Sequence, residues 1–163
     1  PFDNCERVYG EDNTAQMQFL ASPLVASCQG IYYHRLLDTS LSHKVSLNNI
    51  RGNIRFTNMK RQLKAHGYSN EILSLNETAF WKSIVSSYYY YHRYRHRFSQ
   101  EEQQATLYLI KYMREQIDTA LLAPSTRWRP GYWKMPSWIL FRLQEETYFL
   151  LRRLIKNDNS TLE

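Results

Sequence analysis

Glycine and proline are scarce in this chain, with five of each among 163 residues. A β-sandwich needs many tight turns, and collagen-like or low-complexity sequence needs far more of both, so these classes are excluded and helices become the default. Cysteine is scarcer still: Cys5 and Cys28 are the two present, neither lies in a C-x-x-C pair, and zinc ribbons and thioredoxin chemistry fall away. Long apolar runs are missing as well. The least polar stretch, Phe19 to Ser27, is broken by Pro23 and is far shorter than the roughly 20 residues that cross a bilayer, so no transmembrane segment is expected. Also absent are a glycine-rich phosphate loop, an H-E-x-x-H helix, a G-x-S-x-G elbow and a paired Cys/His cluster. Neither an enzyme nor a cofactor is expected.

What is present is basic and aromatic together. Lys and Arg number 21 against 15 Asp and Glu, a formal net charge of +6, alongside 13 Tyr, 7 Phe and 4 Trp. That combination suits a polyanion or a protein partner. The 43% hydrophobic fraction is ample for a core, and the length is that of one domain covering 1–163. No internal repeat and no Gly/Ser linker divides the chain.

Apolar spacing places five helices. The first runs from about Thr14 to Ser27, with Met17, Phe19, Leu20, Leu24 and Val25 as its apolar residues and Pro23 as a kink or break. Gln29 to Arg51 shows no sustained period and reads as a long overhand loop. Ile54 to His66 is a shorter basic helix stopped by Gly67. Thr78 to Phe98 carries an aromatic seam of Phe80, Trp81, Ile84, Val85, Tyr88, Tyr91 and Tyr94. Ser99-Gln100-Glu101-Glu102 has the S-x-x-E form of a capping box, opening a helix with the stripe Leu107, Ile110, Met113, Ile117 and Leu121 that ends before Pro124. The last helix runs from Pro136-Ser137 to about Lys156. Its leucines 140, 143, 150 and 154 are expected to face inward, with Phe141, Tyr148, Leu151 and Ile155 beside them, and Arg142, Gln144, Glu145, Arg152 and Arg153 to face out. The expected architecture is an all-α bundle of four or five helices with a long first interhelical loop, a layout that fits a cytokine-type bundle.

The chain begins Pro1-Phe2-Asp3-Asn4 and reads as a mature, processed protein. Asn76-Glu77-Thr78 and Asn159-Ser160-Thr161 are sequons that a secretory protein would offer for glycosylation. Cys5 and Cys28 form either a disulfide, contributing about 3 kcal/mol by chain entropy, or two buried thiols. His92 and His96 share a helix face at metal-ligand spacing, but Arg93, Arg95 and Arg97 surround them, and such positive charge disfavours a dication. No metal site is expected. Lys60, Arg61 and Lys64, the 92–97 cluster, and Arg127 with Arg129 could meet sulfated glycans. Nucleic acid is not expected, because no RNP, zinc-finger or recognition-helix pattern accompanies the charge.

The last helix reads Ser137-Trp138-Ile139-Leu140-Phe141-Arg142 and then Tyr148-Phe149-Leu150-Leu151-Arg152-Arg153-Leu154-Ile155-Lys156-Asn157. This resembles the final helix of type I interferons, the beta type above all, in which a W-x-x-x-R segment opens the helix and an apolar run with R-R-L closes it. Cys5, Ser27-Cys28, Asn76-Glu77-Thr78 and Lys111-Tyr112-Met113 fall in the family's order. One departure is clear. Ser137 stands where many members have a cysteine, and no Cys follows Cys28, so the family's two usual cross-links cannot form. The resemblance implies a secreted, extracellular helical cytokine that brings together two cell-surface receptor chains and induces an antiviral or immune response. It also nominates Arg142, with Leu143, and Arg35 in the loop after Cys28 as receptor contacts. A competing resemblance, carried by Leu63-Lys64-Ala65-His66-Gly67 and the composition, is to abalone sperm lysin, a basic aromatic bundle that disrupts an extracellular coat or membrane. A viral or diverged mimic on the cytokine scaffold would read the same way.

Overall fold

The computed structural model describes residues 17–22, 26, 45–127, 133–134 and 136–160, with side chains to Thr126 and, in the last helix, to Arg152. Arg35, Cys5 and Cys28 lie outside the described residues, as does the side chain of Asn159. All regular structure among the described residues is helical, as the scarcity of turn residues predicts. A helical segment α1 occupies 17–21, and α2 spans Asn48–Arg51. A 3₁₀ turn, Gly52–Ile54, leads into α3, Arg55–Ala65. Then come α4, Asn70–Tyr94, and α5, Gln100–Glu115, followed by α6, Pro124–Arg127, and α7, Trp138–Ser160. Further 3₁₀ turns occupy Arg95–Arg97 and Thr119–Leu121.

The longest helix, α4, is the hub against which α3, α5 and α7 pack. Its seam of Phe80, Trp81, Ile84, Tyr88 and Tyr91 is buried, and each such side chain contributes about 1.5–3 kcal/mol relative to exposure. It starts eight residues before Thr78 because Leu73 belongs to the same seam, two turns upstream of Phe80. Between them the seam position is held by Glu77, whose charge interrupts the apolar period. The sequon therefore lies inside the helix rather than opening it. Asn76 Nδ2 donates to the Phe56 carbonyl at 3.2 Å, across the α3–α4 seam.

Gly67 ends α3 as expected. It adopts φ +70°, the Tyr68 N–H reaches back to the Leu63 carbonyl and the Gly67 N–H to that of Lys64, both at 3.1 Å. This is a Schellman closure, and the left-handed position favours glycine. It turns α4 back along α3, so Phe56 stacks on Phe80 at 5.5 Å and Lys60 lies beside Glu77. At the other end of α4, Ser99 Oγ accepts from the Glu102 N–H at 3.2 Å, and Glu102 Oε2 accepts from the Ser99 N–H at 2.9 Å. The capping box read from the sequence is complete.

Two further boundaries depart from the sequence reading. Residues 48–51, inside the expected loop, are helical, tied down by Asn49 Nδ2 donating to the Tyr90 hydroxyl at 2.8 Å and by burial of Ile50. Helix α5 stops at Glu115, well before Pro124, where the carbonyls that follow it find partners elsewhere. Lys60 Nζ donates to the Gln116 carbonyl at 2.6 Å and Lys134 Nζ to that of Ile117 at 2.9 Å. Glu77 Oε1 accepts from Lys60 Nζ at 3.0 Å and from the Asp118 N–H at 2.5 Å. One fully buried carboxylate thus joins α3, α4 and the chain leaving α5. At 17–21 the helix is finished before Pro23, and Met17 packs on Met59, Leu63 and Leu73.

Candidate protein-interaction surface

Helix α7 begins where Ser137 Oγ accepts from the Leu140 N–H at 3.2 Å, an N-cap that follows Pro136. From there the sequence supplies two apolar faces, and the helix can turn only one of them to α4. The one turned inward is not the leucine face. Phe141, Glu145 and Phe149, spaced by four, are buried, and Trp138 joins them. Phe141 packs edge-on to Tyr88 at 5.5 Å and lies 5.7 Å from Trp81, while Phe149 meets Tyr89 at 4.9 Å and His92 at 5.5 Å.

Aromatic rings explain the choice. Facing the aromatic seam of α4, Phe141, Phe149 and Trp138 gain ring-on-ring contacts that leucines cannot, each worth about 0.5–1.5 kcal/mol beyond area. The consequence is a correction to the sequence reading at Glu145, which is 0% exposed rather than facing out. Its Oε1 accepts from Gln144 Nε2 at 3.1 Å, while Oε2 has no hydrogen-bond partner among the described residues. Burial pushes the Glu145 carboxyl up to about 7, a rise that the Gln144 amide only partly offsets.

The opposite face of α7 carries Ile139, Leu140, Leu143, Leu150 and Leu151, which are between 44% and 76% exposed. Leu140, Leu143 and Leu150 were expected inside, and they too are corrected. Leu143, nominated as a receptor contact, is 62% exposed on this face. An apolar stripe along several turns of one helix is the kind of surface that marks a protein or membrane contact rather than the scattered exposure normal to a monomer.

Arg142 sits between the two faces, half-buried, and so does not stand free on the surface. Its Nε donates to the Tyr88 hydroxyl at 3.4 Å, and that hydroxyl donates to Glu146 Oε1 at 3.0 Å. Arg95 Nη1 reaches the same carboxylate at 3.2 Å, and His92 Nδ1 lies 3.0 Å from Glu146 Oε2, a contact that becomes an ion pair when the imidazole is protonated. Burial drives the Tyr88 phenol up to about 12, against the opposing pull of the Arg142 hydrogen bond. That same bond raises the Arg142 guanidinium, against desolvation. The network ties α7 to α4 at the same rotation that the ring contacts favour.

The basic residues divide. Lys60 is spent internally on Glu77 and Gln116. Arg61 and Lys64 are exposed, as are Arg93, Arg95, His96 and Arg97 at the end of α4. His92 turns to Glu146, and among the described residues no three His, Cys, Asp or Glu side chains gather as a metal set. Arg129 and the Arg127 side chain lie outside the described residues. Of the tyrosines, Tyr88 and Tyr91 are in the core, but Tyr108, Tyr112 and Tyr148 are exposed. None of the described helices is long and apolar enough to cross a membrane. No family model, no curated protein and no solved structure matches the chain.

Proposed function

We propose that this chain is a secreted, non-enzymatic helical cytokine of interferon-like type, and that it signals by bringing two receptor chains together. The observation that carries the reading is the leucine face of α7. Five large aliphatic side chains stand exposed there, on the side away from the α4 seam, in the helix where the sequence resembles that family most. The all-helical architecture, with helices of 25, 16 and 23 residues in α4, α5 and α7, supports a cytokine-type bundle. In this reading Leu143 enters a receptor pocket, and Arg142 serves as much to set the face as to touch the partner.

The test is binding to an interferon receptor pair, set beside release of contents from acidic liposomes. Leu143→Arg is expected to abolish receptor binding. Arg142→Ala is expected to weaken it by about 1–3 kcal/mol. Activity in the liposome assay alone would overturn the cytokine reading in favour of the lysin-like alternative, for which the exposed Arg93, Arg95 and Arg97 near the same helix would provide the acidic-surface contacts.

A further inference from the structure

A second surface lies on α4, apart from the leucine face of α7. From Thr78 to Gln100 the chain has no Asp or Glu, while Lys82, Arg93, Arg95 and Arg97 fall within that run. Helical spacing puts Lys82, Ser86, Tyr89 and Arg93 on one side of α4, and all four are exposed. From Lys82 to Arg93 this side is about 16 Å long at the rise of an α-helix. Exposed Arg97 stands just past its end, in the Arg95–Arg97 turn. Helix α7 adds a cation from another element, since the Arg152 guanidinium lies 5.7 Å from the centre of the Tyr89 ring. Two and three turns before Lys82 the same side carries Leu75 and Glu71, so the basic stripe is bounded.

Among the described residues Lys82, Arg93, Arg97 and Arg152 make no ion pair, whereas Arg95 reaches Glu146 at 3.2 Å. Arg93 rests 5.3 Å from the centre of the Tyr94 ring, as Arg152 does over Tyr89, and a ring face holds a guanidinium in place without neutralising it. The next acidic residues, Glu101 and Glu102, open α5, and Glu102 is held by the Ser99 N–H. The basic pair on α3 offers less. Lys60 there is turned to Glu77, and Arg61 Nη2 donates to Asn58 Oδ1 at 2.6 Å. A single row of cations along a helix fits a linear polyanion whose charges are ranged along its outside. Stacked bases need free ring faces, and Tyr89 already meets Arg152 and, at 4.9 Å, Phe149. A membrane surface needs apolar side chains beside the cations, and between Lys82 and Arg93 this side presents only Ser86 and Tyr89.

We propose that Lys82, Arg93, Arg97 and Arg152 bind a sulfated glycan chain laid along α4. The site is independent of the receptor reading and stands or falls without it.

The experiment titrates the whole chain, at several salt concentrations, with a heparin hexasaccharide, the same sugar stripped of sulfate, a double-stranded oligonucleotide, and vesicles containing phosphatidylserine. The expected result is saturable binding of the sulfated sugar, about tenfold or more tighter than of the other three. Its logarithm should fall with the logarithm of salt at a slope of about −3, as counter-ions are released. Arg93→Gln with Arg97→Gln should weaken binding about tenfold and bring that slope about 2 nearer to zero. Arg152→Gln should weaken it about threefold. Arg61→Gln with Lys64→Gln, on α3, should leave it unchanged. Should the Arg93 and Arg97 double variant fail to fold, Arg152→Gln carries the test. Equal binding of the desulfated sugar, tighter binding of the oligonucleotide or the vesicles, or a loss on changing Arg61 and Lys64 instead of Arg93 and Arg97 would each overturn the proposal.

Discussion

Glu77 and Glu145 are both fully buried, yet they are solvated by the protein in opposite ways. Glu77 accepts from Lys60 and from the Asp118 backbone, so its charge is met by an ammonium and an N–H from two other elements. Glu145 accepts only from Gln144, its own neighbour in the chain; in both residues Oε2 has no hydrogen-bond partner among the described residues, so the difference lies in what reaches Oε1. A buried carboxylate that gathers partners from distant segments ties a fold together. One that finds only a local amide weighs against the docking of its own helix.

Removing each should separate the two roles. Glu77→Ala leaves Lys60, whose side chain is 15% exposed, without its counter-ion, and unfolding in urea should show a loss of about 3–5 kcal/mol. Equal stability of this variant and the parent would break the comparison at its root.

Glu145→Gln should move the other way, and only above acidic pH. In the folded chain its carboxyl titrates at about 7, against 4.5 for the ordinary group. The folded state therefore binds the proton more tightly, and this group's contribution is fully favourable below about 4.5 and is lost as pH rises through about 7. At pH 8 the cost amounts to about 3 kcal/mol, so Glu145→Gln should be more stable by that order at pH 8 and little changed at pH 4. Chemical denaturation at the two pH values checks it. A gain of the same size at both would show that the charge is not the cause.

Glu146 provides the intermediate case, a carboxylate 24% exposed that shares Tyr88, Arg95 and His92. Tyr88→Phe keeps the ring packing on Phe141 and removes the hydroxyl between Arg142 and Glu146. A loss of about 2 kcal/mol is expected for a hydrogen bond to a charged group, measured as a shift of the denaturation midpoint. The smallest effect belongs to the far side of the helix that carries Glu145. Leu143→Arg, at an exposed site, should change stability by less than about 0.5 kcal/mol while removing partner binding. A large destabilisation would mean that the leucine face is already covered within the chain.

These glutamates also mark where the sequence was legible and where it was not. The capping box at Ser99, the stop at Gly67 and the aromatic seam from Phe80 to Tyr91 rest on local chemistry and spacing, and they stand in the structure as read. The start of α4 did not show, because Glu77 occupies a seam position and breaks the apolar rhythm between Leu73 and Phe80. The inward face of α7 was misjudged for the same reason. Hydrophobicity counts favour its leucines, whereas the buried face is set by which side chains match the rings of α4, even with a carboxylate among them. Helix α2 and the early end of α5 depend on Tyr90, Lys60 and Glu77, partners 41 to 56 residues away in several of the bonds concerned. A contact of that range leaves no local signature. On the candidate surface, Leu143 is nominated as a contact by a resemblance, and the structure shows it exposed there. The Tyr88–Glu146 network that ties its helix to α4 was not visible until the helices were placed side by side.

The bond from the Asp118 N–H to Glu77 has a consequence for how opening of the bundle could be observed. Asp118 lies in a short irregular segment between α5 and a 3₁₀ turn, where an amide would ordinarily exchange with solvent deuterium as fast as local fluctuations allow. Here its hydrogen ends on a carboxylate that is 0% exposed and shared with α3. Release requires the chain leaving α5 to part from α4, at a carboxylate that Lys60 of α3 also holds. The Asp118 amide is therefore expected to exchange as slowly as the core amides of α4, although it lies outside any helix, and its exchange would time the opening of the bundle.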